Sequence, residues 1–290
     1  MYIGTILSPD LGGEKHSFAP TYNLKWPNRY LDAHRTLDYV IPQNAKSVFE
    51  RVVAACMRTR GKSSLKIVDI GCSYGINAAL LKCSTTLDEL YTETASPHGV
   101  LRKKNIDSHR GFFKARMRRH DLSFVGLDPA SRAVDYALQV GLIDAAVNAD
   151  LEAHDLVDSD RALLSDADLI ISTGCVGYVT ERTFARLYPA IAESRPWVAC
   201  FVMHPFVYHG IARMLDDHGL ATTEIHAWRQ RQRRFSTSRE KRKVLASMKA
   251  LDIDDRFERS TGYIYASFHL SVPRCEISSA NLTEILPSHR

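Results

Sequence analysis

The segment Lys66-Ile-Val-Asp-Ile-Gly-Cys-Ser-Tyr-Gly-Ile-Asn-Ala-Ala-Leu-Leu81 narrows the choice of fold more than any other stretch of the chain. A short apolar run, read as a strand over 65–70, passes through Asp69-Ile-Gly71-Cys-Ser-Tyr-Gly75 directly into helical periodicity. Glycines at such a turn let the backbone bend tightly and approach a ligand, at the carboxyl end of a parallel strand where open α/β sheets bind cofactors. Asp69 at the strand end attracts an ammonium or sulfonium group and repels phosphate. A dinucleotide loop asks for G-x-G-x-x-G with no acid inside the turn, whereas this chain offers Gly71-x-x-x-Gly75, and no G-x-x-x-x-G-K-[S/T] run supports a nucleoside triphosphate.

The same rhythm continues downstream. Further strands are expected over 122–127, 145–148, 168–172 and 198–204, with helices over 78–83, 130–140 and 182–193, which is the pattern of β-α-β units in a mostly parallel, doubly wound sheet. A helix over 207–218 should end at Gly219, and 222–228 and 262–272 read as antiparallel strands closing the sheet. Two stretches interrupt the rhythm. The arm from about residue 17 to 60 carries Tyr22, Trp26, Tyr30 and Tyr39 and then an amphipathic helix over 43–57; 84–121 is rich in Arg, Lys and His and too long for a minimal crossover. The chain is therefore divided into an arm and lid helix (1–60), a cofactor-binding domain (61–272) with a helical insertion (84–121), and a loosely held tail (273–290).

Three more strand ends carry chemistry. Phe124-Val-Gly-Leu-Asp128 places an acid where a doubly wound fold binds ribose hydroxyls. In Val147-Asn-Ala-Asp150-Leu151-Glu152, a carboxylate can accept from an adenine amino group while Leu151 packs on the ring. Asp168-Leu-Ile-Ile-Ser172-Thr173-Gly174-Cys175-Val-Gly177-Tyr178 runs from a strand into a loop of small residues beside the pocket.

These four motifs, in this order, resemble class I S-adenosylmethionine (SAM)-dependent methyltransferases over about residues 65–204. The resemblance implies a Rossmann-like seven-stranded sheet whose last strand is antiparallel, with SAM as cofactor. Gly71, Cys72, Ser73 and Gly75 would wrap its methionine part with Asp69 near the amino group, Asp128 would hold the ribose, Asp150 and Leu151 the adenine, and Ser172, Thr173 and Gly174 would border the sulfonium. The chain departs from the family pattern twice. Asp128 lies 59 positions after Asp69, against a usual spacing of about 20, so the insertion must fold outside the sheet. The loop after the fourth strand is not the Asn/Asp-Pro-Pro-Tyr of amino methyltransferases acting on nucleobases and glutamine, which leaves the acceptor open.

The activity expected on this resemblance is methyl transfer to a nitrogen or oxygen of a small molecule, in specialised metabolism. Tyr178, His204, His209 or Tyr30 would serve a catalytic role, and the aromatic arm would form a lid whose Tyr faces can meet a sulfonium. Alternatives are a lyase that cyclises SAM to azetidine-2-carboxylate and methylthioadenosine, an RNA or protein methyltransferase, and a non-catalytic SAM-binding module. The basic runs Arg229-Gln-Arg-Gln-Arg-Arg234, Arg239-Glu-Lys-Arg-Lys243 and Arg116-Met-Arg-Arg-His120 are expected as solvated loops, which disfavours nucleic acid as a partner. A net charge of only +5 from 38 basic and 33 acidic residues agrees. A composition of 45% hydrophobic and 24% charged residues excludes a disordered chain.

Six cysteines without a C-x-x-C pair suggest neither a disulfide framework nor a metal site, and Cys72 and Cys175 read as packing thiols. Residues 1–13 show no basic leader, and no window reaches the ~18 apolar residues of a membrane span. A cytoplasmic location and no membrane partner are therefore expected, with the oligomeric state open.

Overall fold

The computed structural model describes residues 19–280 and Ile285; the reading of residues 1–13 and most of the tail beyond residue 280 fall outside them. Three helices come first: α1 (Ala19–Tyr22), α2 (Asn28–Thr36) and α3 (Ile41–Arg60). In α3, Ala45, Val48, Phe49, Val52 and Cys56 recur at helical spacing and are buried, and Gly61 ends the helix with φ +61°, the left-handed conformation that glycine adopts without strain. The alternating part follows as β1 (Leu65–Ile70), α4 (Ile76–Lys82), α5 (Leu87–Ala95), α6 (Ile106–Arg116), β2 (Leu122–Leu127), α7 (Ser131–Gln139), β3 (Ala145–Val147), α8 (Asp158–Leu164), β4 (Leu169–Thr173), α9 (Glu181–Ile191) and β5 (Trp197–Met203). The remainder is α10 (His209–Asp217), β6 (Leu220–Glu224), β7 (Gln230–Arg234), α11 (Ser238–Ala250), α12 (Arg256–Thr261) and β8 (Tyr263–Pro273).

The sheet has the order β3-β2-β1-β4-β5-β8-β6, with β7 also on β8. Strands β1 to β5 are parallel and β8 is antiparallel to its neighbours, so the fold is doubly wound α/β as expected. Strand alternation sends Leu65, Ile67, Leu169, Ile171, Trp197 and Phe201 into one helical layer with α3 and α4, and Val68, Ile70, Ile170, Val198 and Val202 into the other with α9 and α10. Strands buried on both faces explain their unbroken apolar runs.

Two expectations are corrected. The sheet has eight strands rather than seven, because the outer neighbour of β8 is broken in two: β6 pairs with residues 269–273 of β8 and β7 with residues 263–266. The expected strand over 222–228 stops at Glu224, and a 3-10 turn at His226–Trp228 bridges to β7. Of the run Arg229–Arg234, residues Gln230–Arg234 are consequently a strand and not a solvated loop. The long edge of β8 offers backbone donors and acceptors that need partners, and this demand outweighs the charge of the segment. Arg239 to Lys243 lies on α11.

Residues 84–121 contain α5 and α6, outside the sheet, and carry the arm. Tyr91 donates to the Tyr39 carbonyl at 2.7 Å and Asn28 to the Leu101 carbonyl at 2.7 Å. Among the described residues no helix is long and apolar enough to cross a membrane.

Candidate functional site

The strand order reverses between β1, which leads outward to β2, and β4, which leads to β5; a doubly wound sheet opens a crevice at such a switch point. Gly71 (φ +73°) begins the turn after β1 and Gly75 (φ +76°) ends it as the N-cap of α4. A Cβ on Gly71 would stand 2.7 Å from the Cys175 Cβ, so the loops after β1 and β4 touch where only glycine fits. Tyr74, inside the turn, clamps the arm: its hydroxyl accepts from the Leu24 amide at 3.0 Å and donates to the Leu24 carbonyl at 2.8 Å.

Asp69 is fully buried. Its Oδ1 accepts from Asn77 Nδ2 at 2.9 Å, and Asn77 Oδ1 accepts from the Thr173 hydroxyl at 3.2 Å. Its Oδ2 has no hydrogen-bond partner among the described residues. Burial, only partly offset by the Asn77 hydrogen bond and reinforced by the charge of Asp128, pushes the carboxyl up to about 7.

Asp128, at the end of β2, is equally buried and heavily engaged. Oδ2 accepts from the Tyr22 hydroxyl at 2.7 Å and the Ser73 amide at 2.9 Å; Oδ1 accepts from the Ala130 amide at 2.9 Å. Burial followed by the negative charge of Asp128 raises the Tyr22 hydroxyl well above the usual phenol range, so it stays protonated and donates. After β3, Asp150 Oδ1 accepts from the Glu152 amide at 3.0 Å, and Leu151 is buried. Glu152 accepts from the amide and hydroxyl of both Thr180 and Thr183, at 2.6 to 3.2 Å. Burial opposes its charge, but these four hydrogen bonds outweigh it and lower its carboxyl below the ordinary range.

These groups surround one cavity of about 450 Å³. Of the residues expected from the sequence, Tyr30, Gly71, Asp128, Asp150, Leu151, Thr173, Gly174 and Tyr178 line it. Tyr178, 55% exposed, stands at its mouth. Others stand behind the wall: Asp69 as described, Cys72 against Gly126, Ser73 with its amide on Asp128, and Gly75 packed on Ala137 and Leu142. Ser172 faces the opposite layer from Thr173 and meets the Cys175 thiol at 2.7 Å.

His204 is a correction. It is 2% exposed, with Nδ1 2.7 Å from Glu258 Oε1 on α12 and Nε2 3.0 Å from Ser267 Oγ on β8, so both ring nitrogens are engaged. It does not line the cavity. His209, for its part, opens α10.

Sequence reasoning missed five residues here. Glu152, Gln232, Arg233 and His34 line the cavity, and Asn77 joins Asp69 to Thr173. A signal existed for Asn77, which lies on the first turns of the helix after the glycine loop, and for His34, one helical turn after Tyr30. His34 is 4% exposed, its ring 3.9 Å from that of Tyr30, and Nδ1 lies 2.8 Å from the Tyr30 carbonyl. A carbonyl only accepts, so Nδ1 carries the proton.

No protein-family model matches the chain, and no curated protein matches it. Among solved structures it is similar to a TehB-like SAM-dependent methyltransferase from Corynebacterium glutamicum, at 14% identity and TM-score 0.37 over 79% of this chain and 96% of that one. It is similar to the plantazolicin methyltransferase BamL in complex with a triazolic desmethylPZN analog and SAH, at 9% identity and TM-score 0.46 over 84% and 89% of the two chains. A Haemonchus contortus phosphoethanolamine N-methyltransferase in complex with phosphomonomethylethanolamine and SAH matches at 11% identity and TM-score 0.38, over 79% of this chain and 56% of that one.

Proposed function

We propose that the cavity binds SAM and that the protein transfers its methyl group to a nitrogen or oxygen of a small molecule, in specialised metabolism. One observation carries this reading: Gly71, Asp128, Asp150 with Leu151, and Thr173 with Gly174, from the ends of four successive parallel strands, converge on a single cavity at the switch point. The donor set fits a ligand that is cationic at one place and rich in hydroxyls at another. Asp69 keeps an unpartnered buried oxygen beside the loop, and Asp128 and Asp150 line the cavity.

A bound sulfonium supplies an already activated methyl group. The chain's own residues then have three tasks: to orient, to exclude water and to place the acceptor in line. Tyr22, Tyr30 and Tyr39 of the arm line the cavity, where aromatic rings would exclude water and can meet a sulfonium. An amine that arrives neutral needs no base. For a hydroxyl acceptor, the histidine that lines the cavity is His34 and not His204.

The test is incubation of the pure protein with SAM, alone and with small amines and phenols, followed by mass spectrometry of the adenosyl product. S-adenosylhomocysteine formed only with an acceptor is expected. Methylthioadenosine released without any acceptor would replace methyl transfer by cyclisation, and absence of SAM binding in calorimetry would remove both.

A further inference from the structure

The β7 end of the cavity differs chemically from the rest. Gln232 and Arg233 are adjacent in sequence, yet each is 2% exposed and both line the cavity. The cause is a register shift between Arg231 and Arg233 where β7 pairs with β8, which leaves Gln232 as an extra residue on a bulge. Among the described residues lining the cavity, Arg233 is the one lysine or arginine; the acids among them, Asp128, Asp150 and Glu152, follow β2 and β3.

Arg233 is held but not used up. Nη2 donates to Glu240 Oε1 at 2.7 Å, Nη1 to Glu240 Oε2 at 3.1 Å, and Nη1 also to the Arg234 carbonyl at 2.9 Å. The Ser236 amide and hydroxyl anchor Glu240 Oε2 at 2.7 and 2.9 Å, so the pair cannot swing. A guanidinium has five N–H donors. The Nε–H and the second Nη2–H have no partner among the described residues, and these two lie parallel on one edge, the geometry that grips a carboxylate with two hydrogen bonds. On the preceding residue, which lines the same cavity, Gln232 Oε1 is buried with no partner among the described residues, an acceptor that lacks a donor. The Gln232 amide nitrogen lies against Gly174, 2.4 Å from where a Cβ would stand, so a side chain at that position would have to displace it.

We propose that Arg233 and Gln232 form a subsite for a carboxylate with a hydroxyl or amino donor next to it: the side edge of the guanidinium takes the two oxygens and Gln232 Oε1 takes the neighbouring donor. The inference rests on the reading of the cavity as an adenosyl-cofactor site and names the chemistry of what meets its far wall. Two molecules carry such a group, an acceptor that is a hydroxy or amino acid and the methionine end of the cofactor itself.

Two variants separate them. Arg233→Lys keeps the charge and loses the fork; the double change Arg233→Gln with Glu240→Gln removes the ion pair without stranding a buried carboxylate. Calorimetry on folded protein gives affinities for S-adenosylhomocysteine, for 5′-methylthioadenosine, which lacks the amino-acid end, and for salicylate against 2-hydroxybenzyl alcohol on protein saturated with S-adenosylhomocysteine. The expected result is a preference of about tenfold or more for salicylate over its neutral counterpart, lost in both variants, with the adenosyl affinities unchanged. A loss of similar size in S-adenosylhomocysteine affinity, with methylthioadenosine unaffected, assigns the same subsite to the cofactor. Variants that match the wild type in every affinity overturn the subsite. Wild-type protein that binds neither adenosyl compound overturns the cofactor reading instead, and the salicylate preference, measured on the free protein, then judges the subsite by itself.

Discussion

The two ends of the cavity are built by different means. Under β1 to β3, each polar group sits at or just past the end of its strand, and the backbone that places it is local: Gly71, Gly75 and Ser73 in left-handed conformations, and Asp128 accepting from amides of its own and the neighbouring loop. At the β7 end, Arg233 and Gln232 owe their positions to a bulge against β8, and His34 owes its position to an arm helix, α2, seated on α5. Local turns encode a chemical group almost wherever they occur, whereas a group placed by register depends on a partner strand that is distant in the sequence. The first end should therefore fail by steric and titration effects confined to one loop, and the second by loss of ligand discrimination.

The largest expected effect is the titration of Asp69. The native carboxyl holds its proton up to about pH 7, while in the unfolded chain it ionises near the ordinary aspartate value of about 4. Between these values the native state binds the extra proton, so this group's contribution to stability falls as pH rises from about 4 to about 7 and is fully lost above that, by roughly 4 kcal/mol. Asp69→Asn should melt well above the wild type at pH 8 and converge with it near pH 4. Parallel melting curves at both pH values would show that Asp69 is not a buried acid.

Gly71→Ala comes next. A left-handed alanine costs about 1–2 kcal/mol and overpacking a further 1–3 kcal/mol, against a contact that would fall 2.7 Å from Cys175. Urea denaturation should show a loss of about 2–5 kcal/mol, and binding of an adenosyl ligand should disappear with it. Cys175→Gly in the same chain should recover the steric share only.

His204→Asn probes a residue at neither end. Breaking its hydrogen bonds to Glu258 and Ser267 should cost about 1–3 kcal/mol, while adenosyl affinity and turnover stay at the wild-type level. A variant of normal stability and lost turnover would return His204 to the site.

Asp128→Asn should weaken an adenosyl ligand about tenfold, the worth of a charge-assisted hydrogen bond. The smallest effect belongs to Tyr22→Phe. Its hydroxyl occupies Asp128 Oδ2, so removing it should tighten adenosyl binding by about threefold, within the worth of one neutral hydrogen bond; weaker binding would mean that the hydroxyl belongs to the cofactor contacts.

Much of the sheet was legible. Strands buried on both faces carry apolar runs that no solvated loop tolerates, and the expected bounds of β1 and β2 agree with the observed ones. Period-two alternation also contained an answer that was not drawn from it: Ser172 and Thr173 are neighbours in β4, so only one of them faces Asn77. His204 was misplaced for another reason. Its position just past β5 suggested a pocket, but its partners lie 54 and 63 residues away in α12 and β8, and nothing local announces them.

The sequence alone determined the parallel core, the tight turn at Gly71 and Gly75, and the acids at the strand ends, because strand burial, left-handed turns and end-of-strand placement are set by residues within a few positions of one another. Tertiary structure alone decided that Tyr22 caps Asp128, that His204 leaves the site, and that a run of arginines becomes a strand with one guanidinium turned inward. Those outcomes depend on unpaired backbone groups along β8 and on the seat that α5 offers the arm. Both are created only when segments far apart in the chain pack together.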